Sequence, residues 1–267
     1  MALVSVIMTF YNESESQLKR SIFSILNQTL TDFEYIIVSG NPENIKSNTF
    51  VKEIKDQRIK YVALAQKTRM SNCLNLAINN ANSDYIAIQE ADDESLPERL
   101  KIQFEFLKKN PNVDIVGTAI TYIDDYTKKN LAIRFYPENP TKTFNRYAAI
   151  AHPTIFAKRE LYQNYGTYLE NDEYKNCPDY ELWLRWLTKG VVFRNINIPL
   201  FNYYQSKENG RNKNVKKTLS SVIKLKSIYK SKLAFSLIDE VHLFLERCIC
   251  LLPKTWISNL FYIWVKL

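Results

Sequence analysis

Glycine is scarce in this chain, with five in 267 residues, far below the roughly 7% of average usage. No G-x-G-x-x-G and no G-x-x-x-x-G-K occurs, so a glycine-rich phosphate loop is excluded. A bound phosphate must be held by a metal, by side chains or by a helix start. Histidine is rarer still, limited to His152 and His242. The cysteines, Cys73, Cys177, Cys248 and Cys250, match neither a disulfide framework nor the ligand spacing of a zinc site. Isolated buried thiols in a reducing compartment are the expectation. No apolar run reaches the ~20 uncharged residues of a spanning helix. Residues 1–6 lack a basic n-region and enter a strand pattern at once, unlike a signal peptide. Charge of either sign is not in excess over residues 1–204, which hold 24 Lys/Arg and 24 Asp/Glu. Residues 205–267 hold 12 and four, and so carry the whole net charge of +8. This argues against a nucleic-acid enzyme with a basic cleft through its main domain. Aromatic residues are not interleaved with the tail's charge in a nucleic-acid-binding pattern either.

What is present is strand–helix alternation. Residues 4–10, 35–38, 59–64, 85–88 and 113–117 are short apolar runs of buried-strand type. Helical periodicity follows residues 12–15, recurs over 70–81, and resumes from Pro97 to Lys109, where proline suits a first turn. Such alternation predicts a mostly parallel sheet with helices on both faces, and ligands bind outside the carboxyl ends of its strands. Polar clusters fall there, at residues 9–13, 39–44 and 90–94. Beyond them, 152–157 reads as a strand and 178–187 as a helix, and short apolar runs flank Pro199. From about residue 212 the pattern is helical, in a Lys-rich segment, then 237–252, then 256–267 rich in Trp, Phe and Tyr.

Glu90-Ala91-Asp92-Asp93-Glu94 places four carboxylates within five residues at an expected strand end. Their repulsion is relieved by a hard cation, and Mg²⁺ or Mn²⁺ takes one or two carboxylates together with substrate phosphates. A solvated acidic loop before the helix at Pro97 is the plainer alternative.

Several segments resemble the family 2 inverting glycosyltransferases of GT-A fold. They are Val4-Ser5-Val6-Ile7-Met8-Thr9-Phe10-Tyr11-Asn12-Glu13, Ser24-Ile25-Leu26-Asn27-Gln28-Thr29, residues 85–100 around Glu90-Ala91-Asp92, His152-Pro153-Thr154, and Asp179-Tyr180-Glu181-Leu182-Trp183-Leu184-Arg185. They span residues 4–205 in the family's order. The resemblance implies a nucleotide-sugar donor, with UDP as the expected nucleotide, held by Thr9, Tyr11, Glu13, Ser39, Arg69, Glu90 and Asp92. It implies a divalent metal, Mn²⁺ or Mg²⁺, on Asp92 with Asp93 in support, and Asp179 as the general base. His152, Trp183 and Lys207 are implied on the acceptor or phosphate side. Departures are Ser39-Gly40 where the family has an Asp pair, Glu90 for the first Asp of D-x-D, and Pro178 for the acid before the base. These leave a catalytically degenerate nucleotide-sugar-binding protein as the alternative reading. Asp179 also reads as a helix N-cap.

The expected fold is α/β, a GT-A-type nucleotide-binding sandwich with a mostly parallel central sheet and a helical C-terminal extension. The expected domains are 1–204 as catalytic (1–117 nucleotide-sugar half, 118–204 acceptor half) and 205–267 as the basic extension. The resemblance implies transfer of a hexose or N-acetylhexosamine to a lipid-linked or surface glycan, of lipopolysaccharide or capsule type, in a bacterium. The basic extension, with its Lys-rich and final helices, fits an anionic membrane surface. That places the enzyme in the cytoplasm, peripheral on the inner face of the cell membrane. A helical lid packed on the catalytic domain is the alternative.

Overall fold

Period-two alternation builds the first half of the molecule. In the computed structural model, which describes residues 2–170, 174, 176–205, 215–253 and 256–257, strands β1 (Val4–Phe10), β2 (Phe33–Ser39), β3 (Ile59–Ala63) and β4 (Tyr85–Glu90) pair in parallel, in the order 3-2-1-4. Val4, Val6, Met8, Tyr35 and Ile37 face one layer. It holds Leu18, Ile22 and Ile25 of α1 (Glu15–Leu26), Val51 of α2 (Ile45–Glu53), and Leu100 and Leu107 of α4 (Arg99–Lys109). Ile7, Ile36, Val38, Ile86 and Ile88 face the other layer. It holds Leu74, Ala77 and Ile78 of α3 (Met70–Asn79) and the aromatic side of α6 (Pro178–Leu187). Burying both faces is what a parallel sheet requires.

The sheet continues through antiparallel β8 (Phe156–Lys158) to β6 (Ile115–Asp124), β9 (Phe193–Gln205) and the two-residue β5 (Glu94–Ser95). Strand β9 runs parallel to β6 with two register shifts near Ala119, where Pro199 enters the pairing. Strand β7 (Asn130–Arg134) forms a hairpin on β6. Among the described residues the α/β sheet has nine strands, and with the C-terminal helices it agrees with the expected class.

Local expectations were met unevenly. Helix α1 starts at a capping box, Ser14 with Gln17. Helix α2 occupies a segment where the periodicity names no element. It buries only Ser47 and Val51, too few apolar residues to make a pattern. The expected strand at 152–157 is instead a 3₁₀ turn, His152–Thr154, followed by β8. Pro153 has no amide hydrogen for a sheet ladder, which explains the turn. Cys73 and Cys177 are buried as expected, but Cys248 is exposed.

Helices α7 (Val215–Tyr229) and α8 (Leu237–Leu251) dock on the sheet domain. Leu225 joins the α3–α6 core, and the Tyr229 hydroxyl donates to Glu181 at 3.1 Å. The fully buried Lys226 bonds both Glu246 oxygens at 2.7 Å and the carbonyl of Arg146. Among the described residues no helix is long and apolar enough to cross a membrane. Beyond Trp256 and Ile257, the expected final helix lies outside the described residues.

At the amino ends of the strands, buried Glu34 gathers three elements. It accepts from Ser5 Oγ at 2.5 Å, Lys60 Nζ at 2.5 Å and the Asn82 amide at 2.7 Å. Burial raises its pKa, but the bonds from Lys60, Ser5 and Asn82 outweigh that and hold it at about 2. Its contribution is therefore full above the ordinary carboxylate range and is lost as pH falls toward 2. Glu34→Gln should cost about 2–3 kcal/mol at pH 7 and leave a stability curve flatter between pH 4.5 and pH 2, read by urea unfolding at stepped pH.

Candidate active site

Register alone brings three expected residues into a row. Thr9 lies opposite Glu90 and Val38, and Phe10 opposite Ser39, at the carboxyl ends of β1, β4 and β2. The turn after β1 is folded on its own polar groups. Glu13 accepts the Tyr11 amide at 2.6 Å, and its carbonyl takes Asn44 Nδ2 at 3.1 Å and Ser47 Oγ at 2.7 Å. The partly exposed Tyr11 ring rests on Gly40. A Cβ there would meet the Thr68 carbonyl at 2.8 Å and Tyr11 Cδ2 at 3.4 Å, so the close approach requires glycine.

The β2 turn is committed inward. Ser39 is buried and donates to Asn48 Oδ1 at 2.6 Å, which also takes the Tyr61 hydroxyl at 2.9 Å. Glu43 pairs with Lys67 at 2.6 Å on the surface. Asn41, bonded to Asn12 at 3.0 Å, is the buried amide between the first two turns.

The acidic loop is suspended from α1 and from Arg99. Ser21 Oγ donates to the Glu90 carbonyl at 2.7 Å, the Ser95 amide donates to Ser24 Oγ at 3.0 Å, and Arg20 bonds the Asp92 carbonyl. Gln28 donates to the Leu96 carbonyl at 2.8 Å and accepts the Leu100 amide at 3.0 Å. Arg99 is fully buried, and among the described residues no carboxylate pairs with it. Its five N–H groups reach Gln103 Oε1, Gln89 Oε1, Ser95 Oγ and the carbonyls of Ile88 and Ile155, at 2.6–3.5 Å. Burial lowers its pKa to about 9, so it stays charged at neutral pH.

Asp93 points into the protein and accepts the Tyr204 amide at 2.8 Å. Its other oxygen is buried with no hydrogen-bond partner among the described residues. Asp92 is half-buried, and burial, then Glu90 and then Glu13 push its carboxyl up to about 6. Acids from two strand ends thus feel one another's charge here. Among the described residues no three His, Cys, Asp or Glu side chains form a ready metal cage. The all-oxygen donors around Asp92 fit a hard divalent ion that takes its remaining ligands from a diphosphate.

His152 links this loop to α6. Its Nδ1 meets Glu90 Oε1 at 2.9 Å, and its Nε2 meets the Tyr168 hydroxyl at 2.9 Å. A carboxylate only accepts, so Nδ1 carries hydrogen and Tyr168 donates to Nε2 when the ring is neutral. Asn75 of α3 clamps both main-chain groups of Tyr168, at 2.8 and 3.0 Å. Burial, the neighbouring Tyr162 and then the charge of Asp179 raise the Tyr168 pKa. Asp179 occupies the first turn of α6, where a negative charge suits the helix dipole. It is not the N-cap, which is Cys177.

Trp183 is fully buried, with ring centroids 6.2 Å from His152 and 5.7 Å from Trp186. It offers no face to an acceptor and packs the floor beneath His152. Arg69 precedes α3 on the surface. Lys207 lies outside the described residues. Residues that sequence reasoning missed are Arg20, Asn75, Arg99 and Tyr168. Asn75 carried a signal, being polar between the inward Leu74 and Ala77. Arg20 and Arg99 read as ordinary helix-surface cations. Arg99→Lys keeps the charge but has three donors for five acceptors, and should cost about 1–3 kcal/mol in thermal or urea unfolding.

The family model for Glycosyl transferase family 2 matches residues 5–166. An uncharacterized glycosyltransferase of Methanocaldococcus jannaschii is 34% identical over 242 residues, covering 87% of this chain and 81% of that protein. The O-antigen biosynthesis glycosyltransferase WbnJ of Escherichia coli is 30% identical over 209 residues, covering 75% and 79%. Among solved structures, residues 1–349 of S. aureus TarS in complex with UDP-GlcNAc superpose with a TM-score of 0.65. The identity is 13%, and 95% of this chain and 82% of that one are covered, a likeness of fold.

Proposed function

The chain belongs to glycosyl transferase family 2 and is a glycosyltransferase, and we propose that it moves a hexose or N-acetylhexosamine from a UDP-sugar, with inversion, to a lipid-linked or surface glycan. The observation that carries this reading is the hydrogen-bonded chain Glu90–His152–Tyr168, whose last member feels the charge of Asp179 in the first turn of α6. It ties the acidic loop at the donor-side strand ends to the helix start that holds a carboxylate. The TarS complex with UDP-GlcNAc supports the choice of nucleotide, and WbnJ, named for O-antigen biosynthesis, supports a surface glycan.

Residues 1–117 then bind the donor. Tyr11 lies beside the base, Thr9, Glu13 and Glu90 line the nucleoside, and Arg69 approaches the diphosphate. With Ser39 bonded to Asn48, the edge of the base falls to the amides at Asn41 and Asn12. Residues 118–204 form the acceptor half. Asp179 accepts the proton of the acceptor hydroxyl as the oxygen attacks the anomeric carbon. A divalent ion held by Asp92, Mn²⁺ or Mg²⁺, would neutralise charge developing on the leaving diphosphate. Asp93, turned toward Tyr204, holds the loop in place beneath Asp92. His152 fixes the orientation of Glu90. Residues 205–267 bring the catalytic domain, peripherally, to the inner face of the cell membrane, where a lipid-linked acceptor is met.

Asp179→Asn should lower sugar transfer by about 10²–10⁴-fold with UDP-sugar affinity retained in calorimetry. Asp92→Ala should lose metal-dependent donor binding. A screen of purified protein against UDP-sugars with Mg²⁺ and Mn²⁺ reads both. Full activity in both variants with folding intact would refute the mechanism. Donor binding without turnover in the parent would favour the degenerate binding protein.

A further inference from the structure

Helix α8 has two unlike faces. Asp239, Leu243 and Glu246 point into the protein. Asp239 bonds Arg146 at 2.8 Å and Asn145 at 3.2 Å, and Glu246 pairs with the buried Lys226. At ~3.6 residues per turn, Leu237, Ile238, Val241, Phe244, Leu245 and Leu251 fall on the opposite side. All six are exposed, Leu237 by 81% and Phe244 by 62%. A contiguous apolar stripe of this kind marks an interaction surface.

The charge around the stripe identifies its partner. Each of the three acids on α7 and α8 is paired: Asp239 with Arg146, Glu240 with Lys230 at 2.9 Å, and Glu246 with Lys226. Lys216, Lys217, Lys232 and Arg247 add exposed positive charge on the same two helices and just beyond them. Two copies of the chain joined through this face would bring like charges together. An anionic bilayer is complementary both to the stripe and to its basic surround.

We propose that the outer face of α8 lies in the interfacial layer of an anionic membrane, while its inner face, locked by Asp239 and Glu246, sets the orientation of the catalytic domain. This moves the contact from the Lys-rich and final helices, which the sequence pattern favours, to the helix between them. It rests on the lipid-linked acceptor reading.

The test uses the full chain and co-sedimentation with vesicles of phosphatidylcholine alone or mixed with phosphatidylglycerol, without donor or acceptor. The parent should bind the mixed vesicles, less so at high salt. Phe244→Glu combined with Leu245→Glu should weaken binding by about tenfold or more, with melting temperature and UDP-sugar hydrolysis unchanged. Equal binding by parent and variant would overturn the proposal. So would a parent that ignores vesicles and is a dimer that the variant dissociates. A variant that melts at lower temperature without change in vesicle binding would show that the chain itself covers this face, and would also overturn it. A parent that binds vesicles through Phe244 and Leu245 yet turns over no UDP-sugar would refute the UDP-sugar donor reading and support the surface.

Discussion

A guanidinium sealed from water is the constraint on which the site depends. Burying Arg99 is tolerable because each of its N–H groups meets an oxygen. Those oxygens belong to the end of β4, to β5, to α4 and to the link before β8. One side chain therefore fixes the spacing between the acidic loop and the His152 turn. The Phe201 ring, 5.4 Å away, closes the same pocket from β9. Because among the described residues no carboxylate is spent on Arg99, the acids of the loop remain for the crevice.

Those acids are held against their own repulsion by neutral side chains. Ser21 and Ser24 on one face of α1, with Gln28 just past its end, grip the main chain from Glu90 to Leu100, while Arg20 binds the Asp92 carbonyl and Asp125. Asp92 is left with a carboxyl pushed up to about 6 beside Glu90 and Glu13, a local excess of negative charge that a bound cation would relieve. Helix α1 thus does two things. Its apolar face packs the sheet, and its polar face holds the loop, which gives the Ser24–Thr29 resemblance a physical content.

The same division of faces recurs in α8. Read along the chain, Asp239, Glu240 and Glu246 interrupt an apolar helix. In the fold two of these acids pair inward with Arg146 and Lys226, so the interruption is the docking face and the apolar residues are left outside. The alternatives of a packed extension and a surface-binding extension are therefore compatible, because they use opposite sides of one helix.

The sequence by itself determined the alternating strands, the sheet class and the position of Thr9, Glu90, Asp92 and Asp179 at element ends, since period, caps and proline act over a few residues. Helix α2 escaped it because two buried residues make no pattern, and the His152 turn escaped it because apolar content outweighed the missing amide hydrogen of Pro153. Only the tertiary structure decided which polar residues face each other. It turned Ser39 toward Asn48, buried Trp183 beneath His152, joined Glu90 to Tyr168, and made Arg99 a core residue rather than a surface cation. These outcomes depend on partners up to 62 positions away in the chain, where local propensity carries no information and packing and hydrogen-bond satisfaction select the arrangement.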